Sequence, residues 1–308
     1  MPDSTIENNT APLVSIVMNC YNGERYLRQA IESVLSQTYQ KWEIIFWDNQ
    51  SIDDSAEIFK SYHDDRFHYY YADVHTVLYD ARNYALLKCQ GDLIAFLDVD
   101  DWWFPEKLMI QVPLFNDSSI GLSCGNYILV NERNNNNLGL KPAYSSLPHG
   151  NVLDDLFDHY FVHMSTLVVR KKALESLEQA FDPRFNIIGD LDILVRLCSA
   201  WRLAPVQLPV AYYRWHQNNT GYKTDLLISD EFDIWLGEIK NNDIYTSLCN
   251  FSKFESKVRF YSVLKLLYSG EKLEAFGRIN SLSLKQRLKL AVAMVIPTKI
   301  VKMWIDRS

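Results

Sequence analysis

Apolar runs alternate with helical patterns over the first hundred residues. Residues 13–18 form an almost continuous apolar run, which is typical of a buried parallel strand. Apolar side chains then recur at helical spacing from Leu27 to Leu35. The same pattern predicts further strands over 42–47, 67–71 and 93–97, and further helices after Ser51 and over 79–87. This alternation predicts right-handed βαβ units and a largely parallel sheet, whose ligands bind beyond the carboxyl ends of the strands.

The pattern becomes less regular in the middle of the chain and changes again near its end. Residues 123–130 and 165–169 are predicted strands, and the four asparagines at 134–137 are typical of a solvated loop. Beyond Gly221 the β-rich runs stop and helical patterns dominate. We therefore expect three parts, which are a flexible N-terminus over 1–12, an α/β domain over 13–220 and a helical region over 221–308.

Composition narrows the class of protein. The chain has 308 residues, of which 48% are hydrophobic and 22% charged, and its net charge is −7. These values predict a soluble globular protein and exclude collagenous, disordered and disulfide-dense chains. A net negative charge also argues against general nucleic-acid binding. The five cysteines form no CxxC pair, and the sequence contains neither a signal peptide nor an apolar run of about 20 residues, so we expect a cytoplasmic protein with reduced thiols.

Three carboxylates follow the predicted strand over 93–97 within four positions. Asp98, Asp100 and Asp101 would create a strong negative field at the strand end, which a cation must offset. Mg²⁺ and Mn²⁺ prefer a few carboxylates completed by phosphate oxygens and water. The sequence therefore predicts a divalent metal site that also binds a phosphate. The alternative is that these acids cap the following helix or lie in a solvated turn.

Five motifs stand in a fixed order, and together they resemble those of the family 2 glycosyltransferases. They are the strand and YNGE turn over 14–24, SVLSQTY over 33–39, DNQSID over 48–53, ARN over 81–83 and FLDVDD over 96–101. The resemblance covers about residues 12–220. It implies the GT-A fold, which is an α/β architecture with a mostly parallel sheet flanked by helices, followed here by a helical C-terminal region.

The resemblance implies a nucleotide site at the strand ends. In such a site the Tyr21 ring would stack on the base, Asp48 would accept a hydrogen from the base edge, and Arg82 would offset the diphosphate charge. The implied nucleotide-binding residues are Asn19, Tyr21, Glu24, Asp48, Arg82, Asp98 and Val99. The alternatives are an ordinary half-buried aromatic at Tyr21 and a surface ion pair at Arg82.

The resemblance also implies ligands for the metal. Asp100 would bind the metal directly, Asp98 would face the ribose and the metal, and His216 would bind the metal or the diphosphate. His216 lies in a YRWHQNN segment that resembles the one closing the family's site. A structural role for this histidine is the alternative.

Glycosyl transfer requires a base for the acceptor hydroxyl. Asp190 occupies the position of the family's catalytic aspartate, although Gly189 replaces the usual glutamate before it. The alternative role for Asp190 is an N-cap, where amides and the helix dipole lower the pKa of a carboxylate. Asp192 is a second candidate for the base. The implied acceptor-side residues are Trp102, His163 and Asp192.

Three departures from the family pattern lie at the base and ribose end of the predicted site. Asn19 replaces the usual Pro or Thr, Gln50 replaces Gly, and Ile52 replaces Thr. The motifs therefore define the type of reaction better than they define which nucleotide is bound.

The charge of the chain is divided unevenly. Residues 285–308 contain six cations and one acid, so this tail carries +5 and the preceding residues carry −12. Apolar positions from Leu284 to Val295 mark one helix face, and a second short stripe includes Trp304. A basic amphipathic helix with Trp binds anionic membrane interfaces, whereas the alternative is a helix that packs on the core.

These observations lead to one functional hypothesis and two alternatives. The chain would be a metal-dependent, inverting glycosyltransferase that moves a sugar from a UDP-sugar to a hydroxyl of a glycan or lipid-linked glycan. It would act in surface polysaccharide or lipopolysaccharide synthesis at the cytoplasmic face of the inner membrane. The alternatives are a catalytically silent nucleotide- or glycan-binding protein and a sugar-nucleotide pyrophosphorylase. The latter normally has a glycine-rich loop after its first strand, where this chain has only Gly23.

Overall fold

The structure is a computed structural model of the chain. It describes residues 11–132, 143–216, 219, 228–248, 251–269, 272–279, 282, 286–288 and 290. The chain divides into two compact units, Met1–Asn219 and Thr220–Ser308. The sequence places this boundary near residue 221. The asparagine run over 134–137 and most of the basic tail lie outside the described residues.

In the described part of the first unit, eight strands form one sheet. They are β1 (Val14–Cys20), β2 (Trp42–Asp48), β3 (Phe67–Tyr71), β4 (Leu93–Phe96), β5 (Trp102–Trp103), β6 (Ile120–Asn131), β7 (Val168–Arg170) and β8 (Arg202–Trp215). Their order across the sheet is β3-β2-β1-β4-β7-β6-β8-β5. The first four strands are mutually parallel, as the alternation of strands and helices predicts.

The second half of the sheet is mixed, which differs from the largely parallel sheet that the sequence predicts. β7 is antiparallel to both β4 and β6, and β5 is antiparallel to β8. β8 is 14 residues long and the sequence analysis missed it. Pro205 and Pro209 interrupt its pattern, and proline normally argues against a strand. The strand predicted over 165–169 is partly wrong, because Met164–Thr166 forms a 3₁₀ turn before β7 begins.

Helices cover both faces of this sheet. They are α1 (Glu24–Leu35), α2 (Ser55–Lys60), α3 (Leu78–Leu86), α4 (Lys107–Gln111), α5 (Leu153–Asp158), α6 (Lys171–Glu175) and α7 (Gly189–Cys198). The apolar side of α1 joins a core cluster with alternate residues of β1 and β2, including Leu27, Ile31, Ile16 and Phe46. Burial of these side chains is the main force that fixes the strand ends in place.

Lys107 lies in the interior of the first unit. Lys107 is fully buried and its Nζ donates to Gln111 Oε1 at 2.6 Å, while it lies 4.4 Å from the centre of the Trp103 ring. Burial lowers the pKa of Lys107 well below its usual range. The cysteines of the described residues, Cys20, Cys89, Cys124 and Cys198, are buried free thiols.

The second unit is helical where it is described. Its helices are α8 (Ile228–Lys240), α9 (Asp243–Leu248), α10 (Ser252–Ser269) and α11 (Lys272–Ile279). Val263, Leu264 and Ala275 belong to a small core of its own. On α11, Leu273 is 93% exposed and Phe276 is 69% exposed. None of the helices among the described residues has the length and apolarity that crossing a membrane requires.

Candidate functional site

The carboxyl ends of β1, β2 and β4 meet at one edge of the sheet. β1 pairs with both other strands in parallel, and the register sets Asn19 beside Trp47 and Cys20 beside Asp48. Asp98 follows directly after β4 and its neighbour Leu97. This is the edge where α/β proteins bind ligands, and it holds the polar residues that the sequence predicts there.

The turn after β1 exposes Tyr21. Asn22 adopts a left-handed backbone with φ of 54°, and a side chain at Gly23 would meet Cys20 Sγ and Val99 Cγ2, both at 2.9 Å. Glycine is therefore required where this turn meets the loop after β4. The Tyr21 side chain is 54% exposed, and its ring centre lies 4.4 Å from that of His75. The sequence analysis missed His75, because no motif marks a single histidine in a loop.

The turn after β2 is fastened to the loop over 72–76. Gln50 adopts φ of 68°, a conformation in which glycine is preferred, and its Nε2 donates to Asp73 O at 2.9 Å. The Asn49 side chain donates to Thr76 O at 2.7 Å, and His75 Nδ1 lies 2.7 Å from Asn49 O. The departure at Gln50 thus keeps the turn and adds a bond that glycine cannot make.

Two of the predicted nucleotide residues stabilise these turns. Asp48 is fully buried, and its carboxylate accepts from Tyr69 Oη at 2.6 Å and from Ser51 N at 2.7 Å. Glu24 Oε2 accepts from Asp54 N at 2.9 Å. Both carboxylates therefore have protein partners in this structure, and their contacts with a nucleotide stay predictions.

Asn19 differs from its neighbours because its amide nitrogen is buried without a hydrogen-bond partner. Trp47 Nε1, on the register-paired residue of β2, is also buried and unpartnered. A buried donor that lacks an acceptor costs about 1–3 kcal/mol. Trp42 Nε1, in the core, is a third buried donor without a partner, so such donors are not confined to this edge of the sheet.

Arg82 on α3 connects two of the predicted carboxylates. Its side chain is only 3% exposed, and Nη1 donates to Asp190 Oδ1 at 2.5 Å while Nη2 donates to Asp98 Oδ1 at 2.9 Å. The guanidinium also lies 5.4 Å from the centre of the Phe181 ring. Arg82 is thus a buried arginine that pairs with two partly exposed carboxylates, rather than the surface ion pair considered from the sequence. Its contact with a diphosphate stays a prediction.

Asp190 lies in the first turn of α7 without capping it. No side-chain bond caps this helix, and Asp190 N donates to Tyr79 Oη at 3.3 Å. Burial raises the pKa of Asp190 above its ordinary value, although the Arg82 guanidinium opposes this effect. A side chain at Gly189 would meet the Tyr79 ring at 2.5 Å, which explains why the usual glutamate is missing here.

Asp192 faces a different environment two positions further along α7. Its Oδ2 accepts from Arg196 Nη2 at 2.6 Å, and Arg196 also donates to Gln179 O at 2.6 Å. Helix positions two apart point in nearly opposite directions. Asp192 is thus held away from the Arg82 ion pairs that bind Asp190.

Asp100 and His216 form the second half of the candidate site. His216 Nε2 lies 2.9 Å from Asp100 Oδ2, and Asn219 Nδ2 lies 3.5 Å from the same oxygen. Asn219 Oδ1 accepts from His216 N at 2.5 Å, so this asparagine fixes the turn that presents the histidine. The role of Asn219 was missed, although it ends the segment that drew attention to His216.

Asp101 and His163 are directed inward. Asp101 accepts from Ser165 Oγ at 2.6 Å and from Arg214 N at 3.0 Å, and burial raises the pKa of Asp101 well above its usual range. His163 Nδ1 lies 3.7 Å from Asp101 Oδ2, and burial lowers the pKa of His163. Trp102 stacks on Tyr212 with 4.7 Å between ring centres.

The three acidic side chains after β4 do not converge on one point. Asp98 contacts Arg82, Asp100 contacts His216 and Asp101 contacts Ser165. Among the described residues, no group of three or more His, Cys, Asp and Glu side chains is arranged to hold a metal ion. The Asp100–His216 pair has a hydrogen-bond spacing of 2.9 Å that two ligands of one cation could also take. Two neighbouring ligands of an octahedral ion lie about 3 Å apart when the bonds are about 2.1 Å.

Comparison with known proteins identifies relatives of this chain. Residues 15–177 match the model of the family described as glycosyl transferase family 2. A putative teichuronic acid biosynthesis glycosyltransferase, TuaG of Bacillus subtilis, is 36% identical over 40% of this chain and 49% of its own length. WfgD of Escherichia coli, named as a UDP-Glc:α-D-GlcNAc-diphosphoundecaprenol β-1,3-glucosyltransferase, is 35% identical over 46% of this chain and 55% of its own length. The matches thus span about half the length of these relatives.

Solved structures share the fold at low sequence identity. The crystal structure of Staphylococcus aureus TarS 1-349 in complex with UDP-GlcNAc has a TM-score of 0.62 and 16% identity, and the match covers 90% of this chain and 78% of TarS 1-349. The mannosyltransferase PcManGT of Pyrobaculum calidifontis, in complex with GDP-Man and Mn²⁺, has a TM-score of 0.62 and 15% identity over 96% of this chain and 83% of its own. The order of the five motifs, the sheet with its polar edge and the family match agree: this chain belongs to glycosyltransferase family 2 and has a GT-A-like fold.

Proposed function

We propose that this protein transfers a sugar from a nucleotide-diphosphate donor, UDP-linked, to a hydroxyl of a glycan or lipid-linked glycan, with inversion at the sugar carbon. The observation that carries this proposal is the double ion pair of Arg82, which joins the candidate base Asp190 to Asp98 at the strand ends. The names of WfgD and of the TarS complex support the choice of a UDP-sugar and a lipid-linked acceptor.

The donor would bind across the turns after β1 and β2. The exposed ring of Tyr21, backed by His75, offers an aromatic face for the base. The unpartnered amide of Asn19 would donate to an oxygen of the nucleotide, which removes the cost of a buried donor without an acceptor. Asp98 and Val99 border the same edge of the sheet and would contact the ribose.

Asp190 would act as the base in the transfer step. Its carboxylate accepts the proton of the acceptor hydroxyl while the hydroxyl oxygen forms a bond to the sugar's C1. The bond from C1 to the diphosphate oxygen breaks, and its electron pair leaves with the diphosphate. Attack from the face opposite to the leaving group inverts C1. A raised pKa suits this role, because a carboxylate of very low pKa is a weak base.

Asp100 and His216 would hold a divalent cation, Mn²⁺ or Mg²⁺, and Asp98 would face it. Their 2.9 Å spacing fits two neighbouring ligands, and phosphate oxygens and water would complete the set. Such a cation stabilises the negative charge of the leaving diphosphate. Trp102, His163 and Asp192 remain the proposed acceptor-side residues, although in this structure each is packed against protein neighbours.

The proposed acceptor suggests where the protein works. A lipid-linked glycan lies at the membrane surface, and residues 285–308 with their charge of +5 would bind anionic lipids at the cytoplasmic face of the inner membrane. The exposed Leu273 and Phe276 of α11 add apolar surface to the same helical unit. Membrane docking would then bring donor site and acceptor together.

A binding screen followed by a hydrolysis assay tests the proposal. Thermal shifts are measured with UDP, GDP, CDP and dTDP, each with Mn²⁺ or Mg²⁺, and sugar nucleotides of the winning base are then assayed for slow hydrolysis. We expect UDP to stabilise the protein only with the metal, and a UDP-sugar to be hydrolysed. Binding without any hydrolysis or transfer would instead favour a silent nucleotide-binding protein, an alternative suggested by the engagement of Asp190 with Arg82.

A further inference from the structure

Arg214, near the end of β8, donates a hydrogen bond from each of its three guanidinium nitrogens. It is buried, its Nε donates to Asp100 O at 2.9 Å, and its Nη1 donates to Glu132 Oε1 at 2.8 Å. Its Nη2 donates to Gln29 Oε1 on α1 at 2.5 Å. One side chain therefore connects the loop after β4, the end of β6 and helix α1.

Two aromatic rings enclose the same guanidinium. Its central carbon lies 4.3 Å from the centre of the Tyr26 ring and 4.5 Å from that of Trp102. Tyr26 Oη donates to Glu132 Oε2 at 2.6 Å, so the acid that binds Arg214 is itself fixed. A planar guanidinium lies flat against rings and holds five donors in a fixed fork, whereas an ammonium group is a point charge with three rotatable donors.

The backbone of Arg214 joins the same loop. Arg214 N donates to Asp101 Oδ1 at 3.0 Å, and Arg214 O accepts from Asn219 Nδ2 at 3.1 Å. Arg214 therefore binds the carbonyl of Asp100, and His216, which lies two positions after Arg214, binds its carboxylate. The orientation of the Asp100 carboxylate depends on how firmly this part of the chain is fixed.

We propose that Arg214 is a positioning residue that aims the Asp100 carboxylate at the bound cation and diphosphate. This inference rests on the function proposed above. Arg214 would not touch the donor itself, because each of its three guanidinium nitrogens already donates to the protein and two aromatic rings enclose the group. A loss of Arg214 would therefore weaken binding of metal and nucleotide more than it slows the transfer step.

Arg214→Lys tests this role because lysine keeps the positive charge but loses the forked donors of the guanidinium and its stacking on the two aromatic rings. Mn²⁺ affinity is measured from the electron paramagnetic resonance of free Mn²⁺, and UDP affinity is measured by calorimetry with Mn²⁺ present. We expect both dissociation constants to rise about tenfold, and KM for the UDP-sugar to rise similarly, while kcat at saturating donor changes by less than about threefold.

Arg170→Lys is the matched control. Arg170 also donates to backbone carbonyls, with Nε to Ile120 O at 3.1 Å and Nη2 to Phe115 O at 2.7 Å, and it lies 5.4 Å from the Phe115 ring. It pairs with Leu93 at the other end of β4 from the site. We expect this variant to lower Tm without changing either affinity.

Glu132→Gln serves as a second test if Arg214→Lys does not fold. This variant removes the negative charge that pairs with Arg214 and keeps the shape of the side chain. We therefore expect the dissociation constants for Mn²⁺ and UDP to rise less than in Arg214→Lys. Affinities equal to those of the wild type in folded Arg214→Lys or Glu132→Gln would overturn the positioning role alone. A wild-type protein that binds neither Mn²⁺ nor UDP would overturn the proposed function and this inference with it.

Discussion

Arg82 and Asp190 lie 108 positions apart in sequence, and Nη1 of the buried Arg82 donates to Oδ1 of the partly exposed Asp190 at 2.5 Å. The other arm of the same guanidinium binds Asp98. A buried charge is tolerated only when it is paired, so the two acids stabilise the charged form of Arg82, and Arg82 opposes the rise that burial causes in the pKa of Asp190. The pair therefore sets both the position of the candidate base and its protonation.

Asp190→Asn is expected to abolish transfer while leaving donor binding intact. The amide oxygen of the variant still accepts from Arg82, but it cannot take the acceptor's proton. We expect kcat to fall by about 10²–10⁴ and UDP affinity to change by less than about threefold. Steady-state transfer assays and calorimetry with UDP measure the two effects. Full turnover by the variant would contradict the assignment of the base.

Asp192→Asn separates the two carboxylates of α7. Asp192 binds Arg196, which in turn binds backbone carbonyls, so the main expected effect is a loss of stability. Breaking a buried pair from one side costs several kcal/mol, about 3–5 in other proteins. Turnover measured well below Tm is expected to exceed that of Asp190→Asn by at least tenfold. The opposite order would identify Asp192 as the base.

Tyr21→Ala is expected to weaken nucleotide binding, whereas Tyr21→Phe is expected to preserve it. An exposed aromatic ring that stacks on a base contributes about 1–3 kcal/mol, so the dissociation constant for UDP should rise about tenfold or more. Thermal stability should change little in either variant, because this side chain contributes little to the core. Equal UDP affinity in Tyr21→Ala and the wild type would show that the base binds elsewhere.

The sequence predicted the first half of the fold well because its strands have simple patterns. β3 matches its predicted range, the predicted runs for β2 and β4 agree within one residue, and the run for β1 ends two residues early. β8 was missed because two prolines and several polar residues obscure its pattern. Local patterns also could not reveal that β7 joins the sheet in the antiparallel direction, since pairing direction depends on contacts between distant segments.

Sequence motifs propose the residues of the candidate site, whose roles stay predictions, but they do not show which residues contact one another. Motifs marked Arg82, Asp98 and Asp190, yet only the fold shows that one guanidinium joins the two acids. The third acid of the DVDD motif, Asp101, is buried against Ser165, a residue that no motif marked. His75 and Arg214 were also given no role, because their importance comes from contacts across the sheet edge.

Gln50 offers a test of backbone strain. With φ of 68°, the position disfavours a β-carbon by about 1–2 kcal/mol, and the side chain offsets this through its bond to Asp73 O. Gln50→Ala keeps the strain and loses the bond, whereas Gln50→Gly loses both. We expect the glycine variant to be more stable than the alanine variant by about 1 kcal/mol in urea unfolding. The reverse order would mean that the turn relaxes to negative φ.

The basic tail can be tested by vesicle binding. We expect the full chain to co-sediment with vesicles that contain phosphatidylglycerol but not with purely zwitterionic vesicles, because each cation near an anionic surface contributes about 1 kcal/mol. Deleting residues 285–308 should reduce binding at least tenfold. Lys299→Gln with Lys302→Gln keeps the apolar stripe and should reduce binding less. Unchanged vesicle binding after deletion, together with a lower Tm, would favour a tail that packs on the core.

Lys107 leads to a prediction about pH and stability. Burial lowers the pKa of this lysine well below its usual range, so over a span of pH the folded chain holds one proton fewer than the unfolded chain. Stability from this group therefore rises as pH increases towards the unfolded value of about 10.4, by up to about 1.4 kcal/mol per pH unit. Below the folded pKa the burial penalty is present in full.

Lys107→Met isolates this contribution because methionine has a similar length and no charge. The variant loses both the bond to Gln111 and the cost of burying a charge, and these two effects together set its absolute stability. The difference in pH dependence between variant and wild type, in contrast, reports only the titration of Lys107. We expect the free energy of unfolding of the wild type, relative to the variant, to increase between pH 6.5 and 9.5 in urea titrations. If the free energies of unfolding of wild type and variant change with pH in parallel, the lysine stays charged in the folded protein. A second acceptor or a water molecule beside Gln111 would then stabilise that charge.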